Sequence, residues 1–228
     1  MDFDFPYRLC QQTYHVGDQS FQLLAVEDLD KTIDEMYDRL CEAGHQEWLE
    51  EYCPYFGVLW ASGTTLSEEI LKLDATLLAG KEVLEIGCGL GLGGIVAAFR
   101  GALVTAMDSH PHAQNLVEKN YQLNGLHLKR YLNASFMSAP ELGKFPLIIG
   151  SDILYERPMA VPLAKFVQKH LEEDGSLLLV DPVRPYIGKF VEAMTQLGYS
   201  YSSKQIDRKE TVKTQTTHLY HFFRPPKP

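Results

Sequence analysis

Two stretches of this 228-residue chain carry residue types that do chemistry. In the first, Glu85-Ile86-Gly87-Cys88-Gly89-Leu90-Gly91-Leu92-Gly93-Gly94, glycines alternate directly behind the aliphatic run Val83 to Ile86. Glycines let a ligand lie against bare backbone N–H groups. A helix beginning behind them, through Ile95 to Arg100, aims its free N–H groups at the same place. That is a cradle for a nucleotide-type cofactor. Asp108 stands 21 residues beyond Gly87, after the run Ala102 to Met107. A carboxylate there accepts both hydroxyl protons of a ribose. Two registers fit the glycines. Gly89, Gly91 and Gly94 keep the dinucleotide spacing G-x-G-x-x-G, but begin three residues past Ile86, whereas that fold wants its first glycine tight against the strand. Glu85, Gly87, Gly89 and Gly91 instead keep an acid inside the strand.

The second stretch is Ser151-Asp152-Ile153-Leu154-Tyr155-Glu156. Ligands of open α/β sheets bind beyond the carboxyl ends of strands, and Asp152 ends one. A carboxylate accepts an N–H bond from an amine, and a phenol ring three residues on sits against a cationic head group. On spacing alone, Asp152 serves equally well as a helix cap and Tyr155 as a half-buried aromatic. Ser109 and Ser151 join the candidates by adjacency to Asp108 and Asp152.

These residues need elements to hold them. Thr65 and Glu68 form a capping-box pattern that predicts a helix from Thr65 to Leu78, with Trp60 just ahead of it. Trp60 reads equally as core and as ligand contact. After the glycine strand and its helix, Ala102 to Met107 is a second strand. Pro111 opens a helix that stops near Asn124-Gly125. Leu126 to Leu132 is a third strand, ending at Asn133 and Ala134, and Leu147 to Asp152 a fourth. Pro158 opens a helix with Leu163, Phe166, Val167 and Leu171 on one face. Ser176 to Val180 is a fifth strand, and Ile187 to Leu197 a helix closed by Gly198. Tyr199 to Ile206 and Thr216 to Phe223 are strands joined without a helix.

The fold class is therefore α/β: a Rossmann-like, doubly wound parallel sheet with a C-terminal antiparallel hairpin. That hairpin argues against a dinucleotide fold, which ends in another crossover helix. Residues 1–57 read as an N-terminal cap on a domain of residues 58–228. The cap holds a strand over Phe21 to Val26, a helix over Asp28 to Ala43 and a short helix over His45 to Cys53. The Pro225-Pro226-Lys227-Pro228 end reads as a loose tail.

The net charge of −9 disfavours phosphate binding, so no nucleic-acid partner is expected. It suits a basic partner or a small neutral substrate. Cys10, Cys41, Cys53 and Cys88 lack C-x-x-C spacing, so structural zinc, disulfides and any metal are not expected. Cys88 reads as a small filler in its loop. No apolar run reaches the roughly 20 residues that span a bilayer. The acidic start Met1 to Pro6 lacks a basic leader, so a cytoplasmic setting is expected.

Glu85-x-Gly87-x-Gly89-x-Gly91 resembles motif I of the class I, seven-strand methyltransferases. With Asp108, the Leu59-Trp60-Ala61-Ser62-Gly63 segment and Asp152-x-x-Tyr155, the chain is similar to the protein lysine methyltransferase branch called methyltransferase family 16, of which a histidine-methylating member shares the motifs. The likeness covers roughly residues 55 to 223. It implies S-adenosylmethionine as cofactor and a protein side chain, lysine first, as methyl acceptor. It implies cofactor contacts from Trp60, Glu85, Gly87, Gly89, Gly91, Asp108, Ser109 and Ser151, with Asp152 and Tyr155 at the acceptor. The family's adenine contact, frequently Trp, falls near Asn133 and Ala134, so this chain departs there.

The chemistry is an in-line displacement in which alignment dominates. A lysine amine, with a reference pKa of about 10.4, must first lose its proton. Aromatic surroundings (Tyr155, with Phe56 or Tyr186) lower that pKa, while Asp152 raises it. Asp152 is thus assigned to binding and orientation, with the proton leaving through water. The competing readings are a small-amine or nicotinamide-like N-methyltransferase, an NAD-dependent oxidoreductase, which lacks a Tyr-x-x-x-Lys pattern, and an inactive cofactor-binding scaffold.

Overall fold

A computed structural model describes residues 4–138, 140–209 and 214–225, so part of the proline-rich end lies outside it. The chain opens with an antiparallel hairpin, β1 (Leu9–Val16) and β2 (Gln19–Val26), turned at Gly17. The sequence gives no hint of β1, because its side chains are polar and mostly exposed on both faces. β2 alternates, burying Phe21, Leu23 and Ala25. Helix α1 (Leu29–Ala43) is capped by Asp28, whose carboxylate accepts the Lys31 N–H at 3.0 Å, and is closed by Gly44 in the left-handed region. The short α2 (Leu49–Tyr52) and a turn over Pro54–Gly57 lead to α3 (Ala61–Leu71).

Strands and helices then alternate: β3 (Glu82–Ile86), α4 (Leu92–Phe99), β4 (Leu103–Asp108), α5 (Ala113–Leu123), β5 (Arg130–Asn133), β6 (Phe145–Ser151), α6 (Ala160–His170), β7 (Leu171–Asp181) and α7 (Ile187–Gln196). The hairpin β8 (Ser200–Lys209) and β9 (Thr214–Phe223) completes a seven-stranded sheet in the order β5-β4-β3-β6-β7-β9-β8. The first five strands of that order are parallel, and β9 is antiparallel to both neighbours. Val83, Leu84 and Ile86 are buried, as expected of a strand covered on both faces.

Three expected elements are corrected. The helix before the glycine strand begins at Ala61 and ends at Leu71, not Thr65 to Leu78. Thr65 is buried mid-helix, accepting the Thr217 hydroxyl at 3.2 Å, and Glu68 pairs with Arg208. A Thr-x-x-Glu pattern inside a helix thus imitated a helix start. Asp74 begins a separate turn, Ala75–Leu77. The third strand starts at Arg130, not Leu126, since Leu126 and Leu128 pack onto the core as loop residues. β7 starts earlier than expected, at Leu171, and its pairing with β6 shifts register before Ser176.

The N-terminal hairpin shares the main core: Val16, Phe21 and Leu23 pack in one cluster with Val83, Val96 and Val104. Asn120 of α5 ties it to the glycine loop. Its Oδ1 accepts the Leu24 N–H at 2.7 Å, and its Nδ2 donates to the carbonyls of Leu24 (3.2 Å) and Leu90 (3.0 Å). Asn124 similarly brackets Gln22. Among the described residues no helix is long and apolar enough to cross a membrane.

Close packing of α4 on β3 settles which glycines belong to the loop. A Cβ on Gly94 would overlap Tyr121 Oη and stand 2.5 Å from Glu85 Oε2, and one on Gly93 would stand 2.7 Å from Glu85 Oε1. Gly93 and Gly94 are small because a buried carboxyl lies under the helix, so both serve the packing of α4 on β3 and not the turn itself. Glu85 Oε2 and Tyr121 Oη are buried without hydrogen-bond partners among the described residues. Burial pushes the Glu85 pKa up to about 8; the Gly94 N–H pulls it down, and the Asp108 charge adds to the rise.

Two predictions follow from this packing. Asn120→Ala strands the Leu24 N–H and Leu90 carbonyl and is expected to cost about 2–4 kcal/mol, read from denaturant unfolding. A loss below ~0.5 kcal/mol would mean the bridge carries no stability. For Glu85, the folded chain holds its proton more tightly than the unfolded chain. Its contribution is fully present below the unfolded value of 4.5 and lost as pH rises to about 8. Glu85→Gln keeps the shape without the titration, so its melting temperature should fall less than the parent's between about pH 5 and pH 8. Equal slopes would show that Glu85 does not take up a proton on folding.

Candidate active site

The parallel register brings the candidate residues to one end of the sheet. Ile86 of β3 lies opposite Gly150 of β6 and Met107 of β4, so the turns after these strands are neighbours. The turn after β3 runs through Gly87, Gly89 and Gly91 with φ of +60°, +51° and +81°, a region where side chains are strained. Gly91 is the N-cap of α4. A Cβ on Gly87 would stand 2.5 Å from Ile153 Cγ2, and one on Gly89 would stand 3.3 Å from the Phe56 carbonyl. The loop is bare because its backbone conformation and its neighbours both exclude side chains. Cys88 is buried within it and its thiol is driven well up by burial, so it is a filler and not a nucleophile.

Asp108, at the end of β4, flanks the turn on one side. Its Oδ2 accepts the Gly89 N–H and its Oδ1 the His110 N–H, each at 2.9 Å. Burial raises its pKa, and the N–H groups of His110, Gly89 and Ser109 lower it. These N–H groups do not exhaust the acceptor capacity of the two oxygens, so a ligand hydroxyl can still donate to the carboxylate. Asn133 lies opposite Asp108 in the parallel register, and the Ala134 N–H donates to the Asp108 carbonyl at 2.9 Å. Ser109, Asn133 and Ala134 therefore surround one corner. Leu59, Trp60, Gly63, Gly87, Gly89 and Ser151 line a cleft over the loop, with Glu85 at its base. Trp60 is not core: it is 42% exposed and its indole N–H donates to the Tyr55 carbonyl at 3.1 Å. The bare turn, the diol-accepting acid and the aromatic wall fit an adenosine-type ligand.

The structure adds residues with no signal in the sequence. His110 is buried, its ring 4.0 Å from that of Phe56. Its Nδ1 accepts the His112 N–H at 3.1 Å, so the neutral ring carries its proton on Nε2. Burial lowers the His110 pKa to about 4. Tyr7 and Tyr52 pack on His112, and Tyr7 bonds its Nδ1 at 2.7 Å. Phe56 is thus buried against His110 and not open to an acceptor amine. Two histidines after Asp108 were visible, but nothing in their spacing says that an N-terminal aromatic segment lies on them.

On the acceptor side, Asp152 follows β6 with φ +59°, its N–H held by the Val180 carbonyl at 2.9 Å. It does not cap the following helix, which begins at Ala160. Arg184 Nε donates to Asp152 Oδ1 at 2.7 Å, and Nη2 bonds the same oxygen. Arg184 was not singled out in the sequence, where it is one arginine among many. Tyr155 is half-exposed, and burial, then the charges of Glu156 and Asp108, raise its pKa, keeping the phenol protonated. Among the described residues no three His, Cys, Asp or Glu side chains cluster to hold a metal ion.

A family model described as lysine methyltransferase matches residues 46–196. The chain is 34% identical over 134 residues to the mouse electron transfer flavoprotein beta subunit lysine methyltransferase, covering 58% of this chain and 52% of that protein. It is 36% identical over 114 residues to the Dictyostelium discoideum histidine protein methyltransferase 1 homolog, covering 47% and 36%. The chain therefore spans about half or less of these relatives' lengths. A 16S rRNA methyltransferase of T. thermophilus, solved with AdoMet and guanosine, superposes with a TM-score of 0.65 at 13% identity, over 96% of this chain and 52% of that one. At that identity the likeness is one of fold. The family match, the seven-stranded sheet and the glycine turn together show that the chain belongs to the lysine methyltransferase family of Rossmann-like methyltransferases.

Proposed function

We propose that this chain transfers a methyl group from S-adenosylmethionine to a side-chain nitrogen of a protein, with lysine as the acceptor. The observation that carries the reading is the pairing of β3 with β6, which sets the bare glycine turn beside Ser151 and Asp152. A donor held on that turn and an acceptor held by Asp152 are then neighbours. Family membership implies S-adenosylmethionine, whose sulfonium supplies the methyl group. Gly87, Gly89 and Gly91 would bear its amino-acid end, Asp108 its ribose, and Asn133, Ala134 and Ser109 its base, with Trp60 and Ser151 along the cleft. Asp152 orients the acceptor nitrogen and Tyr155 flanks it. The acceptor must arrive as a neutral amine, because the lone pair that forms the new N–C bond is occupied in the ammonium ion.

A protein acceptor is supported by the names of the relatives and by where the charge lies. Residues 27–51 hold ten acids against Lys31 and Arg39, which is eight of the nine net negative charges. That segment ends in Tyr52 and runs into Phe56, which packs on His110 and Gly89 beside the cofactor turn. Such a surface favours a basic protein over a nucleic acid. All four cysteines are free, which suits a reducing compartment such as the cytoplasm.

S-adenosylhomocysteine at a hundredfold its Kd should stabilise the protein by about 2.7 kcal/mol, and NAD should not. Asp108→Ala should weaken that ligand about tenfold to a hundredfold. Asp152→Ala should keep its affinity within a few-fold yet lose methyl transfer by about a hundredfold or more, since acceptor alignment is lost. Transfer is measured with labelled donor and a basic protein fraction, followed by mass spectrometry. Label on lysine supports the reading. Label only on small amines, or stabilisation by NAD alone, overturns it.

A further inference from the structure

The acceptor side holds a charge problem and a device that answers it. A carboxylate beside a bound amine favours the ammonium form, which cannot attack. Asp152 stands where such a carboxylate must, yet its charge is not bare. Both guanidinium bonds of Arg184 fall on one oxygen, Oδ1, which leaves Oδ2 for an acceptor N–H. Arg184 is itself fixed by its backbone, because its N–H donates to Asp181 Oδ1 at 2.6 Å. Asp181 is buried at the end of β7, and its Oδ2 has no hydrogen-bond partner among the described residues. Val183 between them has φ +65°, so both ends of the Asp152–Arg184 contact rest on left-handed, non-glycine backbone. Residues take such conformations only when their surroundings impose them, and they gather at functional sites.

We propose that Arg184 is a positioning residue for methyl transfer: it holds Asp152 by one oxygen and cancels its charge, so that the amine bound to the other oxygen sheds its proton. This rests on the proposed function. The other charged or titratable groups near the pair are Tyr155 and Glu156 on the Asp152 loop, Asp181 at the end of β7, His218 and Tyr220 on β9, and Asp108 on β4. None of these described groups is a fixed cation, so the compensating charge is that of Arg184. The proton leaves the ammonium for water; the freed lone pair forms the N–CH3 bond as the S–CH3 bond breaks, and its electrons stay on sulfur. No further reactant is needed. The geometry also gives a specificity: an acceptor with an N–H for Asp152 Oδ2 and a lone pair for the methyl group is a primary or secondary amine.

The test is the dependence of kcat on pH, which reports ionisations in the bound complex. Parent, Arg184→Met and Arg184→Lys are compared with saturating S-adenosylmethionine and the basic protein fraction. In Arg184→Met the uncompensated Asp152 should move the rising limb up by about one pH unit or more, roughly a tenfold loss near neutral pH that shrinks toward the parent rate in alkali. Arg184→Lys keeps the charge and should keep the limb while losing some rate at every pH, because its single donor group orients Asp152 less well. S-adenosylhomocysteine should stabilise all three equally, which certifies the fold. Should Arg184→Met fail that check, Arg184→Gln carries the same comparison. A limb that stays in place, whether the rate is normal or uniformly reduced, overturns the proposal and leaves the functional reading intact. A parent that labels no protein amine overturns both.

Discussion

The turn from β3 into α4 must bring a helix start against a ligand without putting a side chain between them. Gly87, Gly89 and Gly91 meet that need, all at positive φ. Each ordered glycine costs about 0.5–1 kcal/mol of backbone entropy relative to alanine, so a bare turn left alone would fray. The structure offsets this with four tethers. Asp108 holds the Gly89 N–H, Met107 the Cys88 N–H, Asn120 the Leu90 carbonyl, and the Phe56 backbone presses over Gly89. Those tethers come from β4, α5 and the N-terminal extension. The extension is therefore part of what keeps the turn in shape.

Four carboxyl groups stand at the ends of four adjacent strands, and each is managed differently. Glu85, under α4 with no cation near, keeps its proton. Asp108 is held by backbone N–H groups, which stabilise its anion without neutralising it. Asp152 has a guanidinium, and Asp181 the backbone N–H of that same arginine. A buried carboxylate is tolerated only when hydrogen-bonded or paired, so these are the available solutions. The differences sort the groups by task. Under the proposed function, the neutral acid packs, the anion held by N–H groups serves a diol, and the compensated anion serves an amine.

How much of this was legible follows from what each residue is read against. Val83 to Ile86 and Leu147 to Asp152 were plain because strands buried on both faces are mostly apolar. The terminal hairpin was plain because no helix separates its strands. β1 was invisible because its exposed residues alternate with nothing, and α3 was misplaced because Thr65 and Glu68 imitate a cap while serving β9 and Arg208. The two glycine registers share Gly89 and Gly91, and the local pattern does not say that Gly94 lies inside α4 against Tyr121 and Glu85. His110 and Arg184 were silent for a deeper reason. Their roles come from partners 54 and 32 residues away, Phe56 and Asp152, and such adjacency leaves no local pattern.

Under the proposed reading, attraction of a basic protein and delivery of a neutral amine make opposite demands on charge. Acids at the reacting nitrogen would draw the acceptor in and then hold it protonated. Contact separates the two demands, because the charge of exposed acids is screened at physiological salt while that of a contact pair is not. The acids of residues 27–51 belong to the N-terminal segment and none of them is bonded to Asp152, so they act on the encounter. At the strand end, Arg184 removes the charge that would act on the bond. The extension and the arginine thus answer the same conflict at two ranges, and raising salt should slow capture of the acceptor without moving the pH at which the bound amine reacts.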